Sequence, residues 1–123
     1  LQAAAILHDI AIKYCKDNYD GDASQERQKK EMPHLVNSFL QAANYLPSYI
    51  PRILELAEKH HDYDAPKDRT LQILMEADLI INCYENHPGS EKIKYIKDIF
   101  QTSFGKELLD FCIEGIKEQE GFL

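Results

Sequence analysis

The chain has 123 residues, of which 44% are hydrophobic and 28% charged, a composition that suits one soluble domain burying roughly two-thirds of the surface its unfolded form exposes. A formal net charge of −7 argues against broad contact with a nucleic-acid backbone, duplex DNA above all, and no apolar run approaches the roughly 20 residues of a membrane span. Cys15, Cys83 and Cys112 are odd in number and outside any CxxC spacing, and no secretory leader opens the text. The expectation is a reducing cytoplasm in which the cysteines are small core residues.

In chain order, Leu1 to about Tyr14 contains AAAILHDIAI and no Gly or Pro, which predicts one helix buried on most sides. Because Leu1 falls directly inside that helix, an N-terminal piece is expected to be missing from the chain. Residues 16–31, KDNYDGDASQERQKKE, read as a polar surface loop with at most a short helical turn. Pro33 then starts a helix to about Tyr45, with Leu35, Val36, Phe39, Leu40 and Ala43 at helical spacing. Ser48 is the expected N-cap of a helix that holds Pro51 in its first turn and runs to about His61. HDYDAPKD is a loop because Pro66 biases the preceding residue away from helix. Arg69 to about Tyr84, RTLQILMEADLIINCY, is apolar on nearly every face and predicts a second central helix. Two amphipathic helices, roughly 90–102 and 105–117, complete a single all-α domain over residues 1–123.

Three polar residues sit in the wrong places for such a fold. His8 and Asp9 interrupt the first apolar helix, and Asp78 shares a face with Leu71, Leu74 and Met75 on the other. An ionised carboxylate in an apolar interior costs several kcal/mol unless it is paired or coordinates a metal. The only bases near these helices, Lys13 and Arg69, lie close to their ends. A divalent cation would neutralise both carboxylates and use the imidazole lone pair. His60 and His61, in EKHHDYD, extend the inner stripe of their helix, so either ring is placed to face a cleft at its end. His34 is read equally well as a surface or capping residue and as a ligand, and His87, in NHPG, as a turn residue. DNYDGD is not a calcium loop, since aligning Gly21 with the sixth position puts Lys16 and Arg27 at ligand positions. Gly-rich phosphate loops, GxSxG elbows and HExxH motifs do not occur.

The series LHDI, PH, KHHDYD and ADLI resembles the HD-domain superfamily of metal-dependent phosphohydrolases, over nearly the whole chain, and its later text resembles small stand-alone bacterial members. The resemblance implies an all-α bundle in which His8, Asp9 and Asp78 hold a divalent metal, with an upstream His that would precede Leu1. It offers His34, His60 and His61 as ligands of a second metal. The implied reaction is hydrolysis of a small phosphate ester such as a nucleotide or another phosphorylated metabolite. Asp9 would serve as ligand and water-orienter and His60 or His61 as general acid. Lys13, Lys67 and Arg69 would contact phosphate oxygens, and one or two ions of Mn, Fe, Mg, Co, Ni or Zn would be bound. Two alternatives accompany it: an HD-type di-iron oxygenase and a non-catalytic HD regulatory module.

Overall fold

The computed structural model describes residues 1–64 and 68–121. Every regular element among them is helical, so the chain is all-α. It divides into two compact units, Leu1–Asp62 and Tyr63–Leu123. The first contains α1 (Gln2–Leu7), α2 (Ala11–Asn18), α3 (Gln25–Ala42), a 3-10 turn (Pro47–Tyr49) and α4 (Ile50–Lys59); the second contains α5 (Arg69–Asn86), α6 (Ser90–Ile99) and α7 (Ser103–Gly121).

In the first unit, α1 and α4 pack together, as do α2 with α3 and α3 with α4. Ala4, Leu7, Cys15, Val36, Leu40 and Leu56 are among the buried side chains. The expected continuous first helix is interrupted at residues 8–10. There Ile10 N–H donates to Leu7 O at 3.0 Å and Ile12 N–H to Asp9 O at 3.1 Å, the i→i−3 pattern of a tightened turn. His8 Nδ1 lies 2.5 Å from Ala5 O, the carbonyl that an uninterrupted helix would offer to Asp9 N–H. Nor is this segment buried on most sides, since Ile6 is 77% exposed.

The expected loop at 16–31 is mostly helix. Ser24 caps α3 by accepting from Arg27 N–H, and Asp22 accepts from Ser24 N–H at 3.1 Å. Pro33 therefore lies inside α3 and does not start it. A proline there removes one backbone bond and crowds the carbonyl four residues back. The helix continues because Gln28, Glu31, Met32, Val36 and Leu40 are buried on both sides of it. Glu31 accepts from Tyr19 Oη and lies 2.6 Å from His34 Nε2, joining α3 to the end of α2. Ser48 caps nothing: it lies within the 3-10 turn, and Tyr49 holds the N-cap position of α4 without a side-chain bond.

In the second unit α5 packs on α7. Leu79, Cys83, Ile96, Phe100, Leu109 and Ile113 form a buried cluster drawn from α5, α6, α7 and the residue that closes α6. Asp68 caps α5 through Leu71 N–H at 2.9 Å, and His87, at φ +45° in the left-handed region, closes it as a turn residue. Contrary to the sequence reading, α5 leaves apolar side chains exposed, Ile81 at 54% and Tyr84 at 59%. Cys15 and Cys83 are buried, Cys112 is half-buried, and all three are free thiols.

Glu76, buried on α5, accepts from Gln72 Nε2 at 2.7 Å, Gln101 N–H at 3.0 Å, Thr102 N–H at 3.1 Å and Thr102 Oγ1. Burial alone would push its carboxyl up, but these donors, the Thr102 hydroxyl foremost, leave it below its ordinary value.

Candidate metal centre

The turn between α1 and α2 and the last turn of α4 bring His8, Asp9 and His60 together. One ligand atom from each lies within 4.8 Å of the others. His8 Nε2 is 3.1 Å from Asp9 Oδ2, and His60 Nε2 is 3.7 Å from Asp9 Oδ1. The two rings meet edge-on with centroids 4.9 Å apart, and the His61 ring lies 3.9 Å from that of His60.

What fixes both rings is the backbone. His8 Nδ1 is 2.5 Å from Ala5 O and His60 Nδ1 is 2.5 Å from Ala57 O, in each case the carbonyl three residues back. A carbonyl only accepts, so each Nδ1 carries the proton and, in a neutral ring, each Nε2 is left with a lone pair. Those lone pairs face a carboxylate that is also an acceptor. His60 is 2% exposed and its Nε2 has no hydrogen-bond partner. At 3.7 Å its approach to Asp9 is electrostatic and too long for a hydrogen bond. A ring that carries a second proton, on Nε2, becomes a donor and a positive charge beside Asp9. In that form His60 first, then His8, holds the Asp9 carboxyl well below the usual carboxylate range, against a smaller opposing effect of burial.

Protonating both rings would answer the repulsion among these acceptors at the cost of two like charges side by side. A single divalent cation answers it without them. Two imidazole nitrogens and one carboxylate suit a borderline ion of the Mn-to-Zn series, and Nδ1–H donation to a carbonyl is the usual outer support of a metal-bound histidine. The residues present fit a cation on that ground.

Comparisons with family models, curated proteins and solved structures give no match to this chain.

The other expected site residues are placed as follows. Asp9 is more open than a buried helix would make it, its side chain 45% exposed. His34 stands away from the cluster, between Glu31 and the Tyr14 ring, whose centroid is 5.6 Å from its own. Of the two adjacent histidines, His60 is the buried one and His61 the half-buried one. Lys13 is exposed and paired with Asp17 at 2.6 Å, and Lys67 lies outside the described residues.

In the second unit, Arg69 is exposed at the start of α5 and lines a recess with Gln72, Gln101, Thr102 and Phe104. Asp78 is buried on α5, and Asn82 donates to its Oδ2 at 3.4 Å from one turn on. Tyr63 is half-buried, and burial first, then the Asp78 charge, pushes its phenol up to about 12. Sequence reading missed Asn82, whose only signal is its spacing of four from Asp78. It also missed the Ala5 and Ala57 carbonyls, which no side-chain pattern announces.

Among the described residues no helix is long and apolar enough to cross a membrane.

Proposed function

We propose that the chain is a metal-dependent phosphohydrolase of the HD type, acting on a small phosphate ester. The observation that carries this reading is the convergence of two imidazole Nε2 atoms on the Asp9 carboxylate, each ring anchored through Nδ1 to a carbonyl. His8, Asp9 and His60 would hold the cation. Asp78 is added on the sequence pattern, as the downstream carboxylate of the HD resemblance. When bound, the cation supplies Lewis-acid polarisation of a phosphoryl oxygen and lowers the pKa of water.

The chain's own part is positioning and proton handling. Asp9, with two oxygens, can hold the ion through one and orient a water through the other. Hydrolysis joins that water's oxygen to phosphorus, breaks the ester P–O bond and needs one proton on the departing oxygen. His61, whose ring lies 3.9 Å from that of His60, would give that proton. Lys13, tied to Asp17, and His34, tied to Glu31, have other partners and are left out of the proposal.

The test is to quantify bound metal and phosphate release from a panel of phosphate esters, with Mn, Mg, Co and Ni supplied, in the wild type and in Asp9→Ala, Asp78→Ala and His60→Asn. In the last variant an amide replaces Nδ1 on Ala57 O while Nε2 is lost, so the fold should persist. Metal affinity should fall by more than the roughly 10- to 100-fold that loss of an outer partner costs. Stable variants that bind metal as the wild type does, or a wild type that binds none, would sink the reading.

A further inference from the structure

The second unit holds a recess that the reaction as described does not use. Its volume is ≈ 630 Å³, and Asp68, Arg69, Gln72, Thr102, Ser103 and Phe104 are among its lining, a size within the range of small-molecule sites. The start of α5 and the start of α7 therefore both belong to its wall.

Gln72 is the unusual member. It is 3% exposed, and its Oε1 is buried with no hydrogen-bond partner among the described residues. Its backbone N–H is bonded within α5, to Asp68 O at 3.0 Å, and its Nε2 donates to Glu76 Oε2 at 2.7 Å and to Ile99 O at 2.9 Å. Both amide protons are thus engaged. Those two partners only accept, so turning the amide over would set Oε1 against a carboxylate and a carbonyl. The amide is locked, and the polar capacity that Gln72 brings to the recess is one unanswered acceptor. Native structures leave few such groups unpaired, and a ligand with an N–H donor would complete this one.

The rest of the lining divides into donors and acceptors. Thr102 Oγ1 caps α7 by accepting from Gly105 N–H at 3.0 Å, while the N–H groups of Ser103 and Phe104, the first two of the helix, have no partner within it. With the Arg69 guanidinium and the Ser103 hydroxyl they suit a carboxylate. Asp68, one oxygen of which caps α5, adds a negative charge to the wall, and Phe104, 69% exposed, adds an aromatic face. Among the described residues the lining carries one guanidinium and one carboxylate. A phosphate dianion would find half its charge answered and would meet Asp68, whereas a zwitterion has both charges answered.

We infer that this recess binds a free α-amino acid with a large apolar side chain. Its carboxylate lies at Arg69 and the start of α7, its ammonium donates to Gln72 Oε1 with Asp68 as counter-charge, and its side chain lies against the Phe104 ring. The inference is independent of the phosphohydrolase reading, because every group in it belongs to the second unit and none is a proposed metal ligand. It gives Arg69 a carboxylate to bind in place of phosphate oxygens.

The test is calorimetric titration of the full, metal-free chain with leucine, methionine, phenylalanine and glycine. N-Acetylphenylalanine, which lacks the ammonium, phenylalaninamide, which lacks the carboxylate, and adenosine 5′-monophosphate are the controls. At least one of the three large amino acids should bind, more tightly than glycine, and phenylalanine should bind roughly tenfold more tightly than either of its analogues, as one charge-assisted contact would give. Arg69→Met should weaken the best ligand by a similar factor. Gln72→Lys keeps a donor for Glu76 and removes the acceptor, so it should abolish discrimination against N-acetylphenylalanine. Should that buried substitution unfold the chain, Arg69→Met and Phe104→Ala, both at exposed positions, still decide the matter, each being expected to weaken binding. No binding of any amino acid at millimolar concentration, analogues that bind as well as phenylalanine, tighter binding of the nucleotide, or affinities unchanged in Arg69→Met and Phe104→Ala would overturn the inference.

Discussion

At the scale of single residues, Asp9 makes the metal-free protein acid-sensitive in a defined direction. Its carboxyl is held below its ordinary value of 3.8 by the rings of His60 and His8, so the unfolded chain takes up a proton on Asp9 before the folded chain does. The stability this contributes is fully present above the unfolded value and is lost as pH falls through the folded one. With metal chelated, denaturant melts of the wild type between pH 5 and 2 should lose stability more steeply than those of Asp9→Asn. Because the side chain is half open, added salt should shrink the difference. Identical slopes in the two proteins would show that the rings do not act on Asp9. Gly105 carries a second residue-level consequence. A Cβ there would overlap Glu76 Oε1 and stand 2.7 Å from Thr102 Oγ1, and Glu76 is held in place by its four donors. Gly105→Ala should therefore cost about 1–3 kcal/mol in urea unfolding, despite the better helix propensity of alanine.

The element scale is where the sequence was misread most, and the reasons are physical. Pro33 looked like a helix start because prolines favour the first turn, yet the capping by Ser24 and the burial of Gln28, Glu31 and Met32 carry α3 through it. Polar side chains at 25–31 hid this, since two of the buried ones, Gln28 and Glu31, answer to hydrogen bonds and not to an apolar stripe. Pro33→Ala restores a backbone bond and removes a steric conflict, so it should raise stability, by up to about 3 kcal/mol. A loss of stability on that substitution would mean that the ring's own packing outweighs the missing bond. Ser48 was a plausible cap by type, but Leu46 and Pro47 lead into a 3-10 turn that leaves it inside the element. By contrast α5 was legible nearly to its ends, because its long apolar text carries no Gly or Pro. His8, Asp9 and Asp78 stand out in the sequence because each interrupts an apolar run, and the structure buries Asp78 while leaving the Asp9 side chain 45% exposed in a turn. The carbonyls that aim the two imidazoles do not stand out, because every residue has one.

At the scale of the whole molecule, a ligand that binds only the folded state adds RT ln(1 + [L]/Kd) to stability, about 2.7 kcal/mol at a hundredfold excess over Kd. For a chain of this length that corresponds to a rise in Tm on the order of 10 °C. The site argues that the rise should track ligand softness: Mn, Co, Ni or Zn should give it more strongly than Ca, which prefers six to eight oxygens and has little use for two imidazoles. A chelator should reverse it, and Asp9→Ala should show almost none of it while melting, without metal, within a few degrees of the wild type. The acidic surface sharpens the comparison. A net charge of −7 attracts any divalent ion weakly, and such diffuse binding is removed by salt. A Tm rise that survives 0.3 M NaCl and vanishes in Asp9→Ala belongs to the cluster of His8, Asp9 and His60. One that Ca produces equally well, or that persists in Asp9→Ala, belongs to the acidic surface and removes the metal centre from the account of this fold.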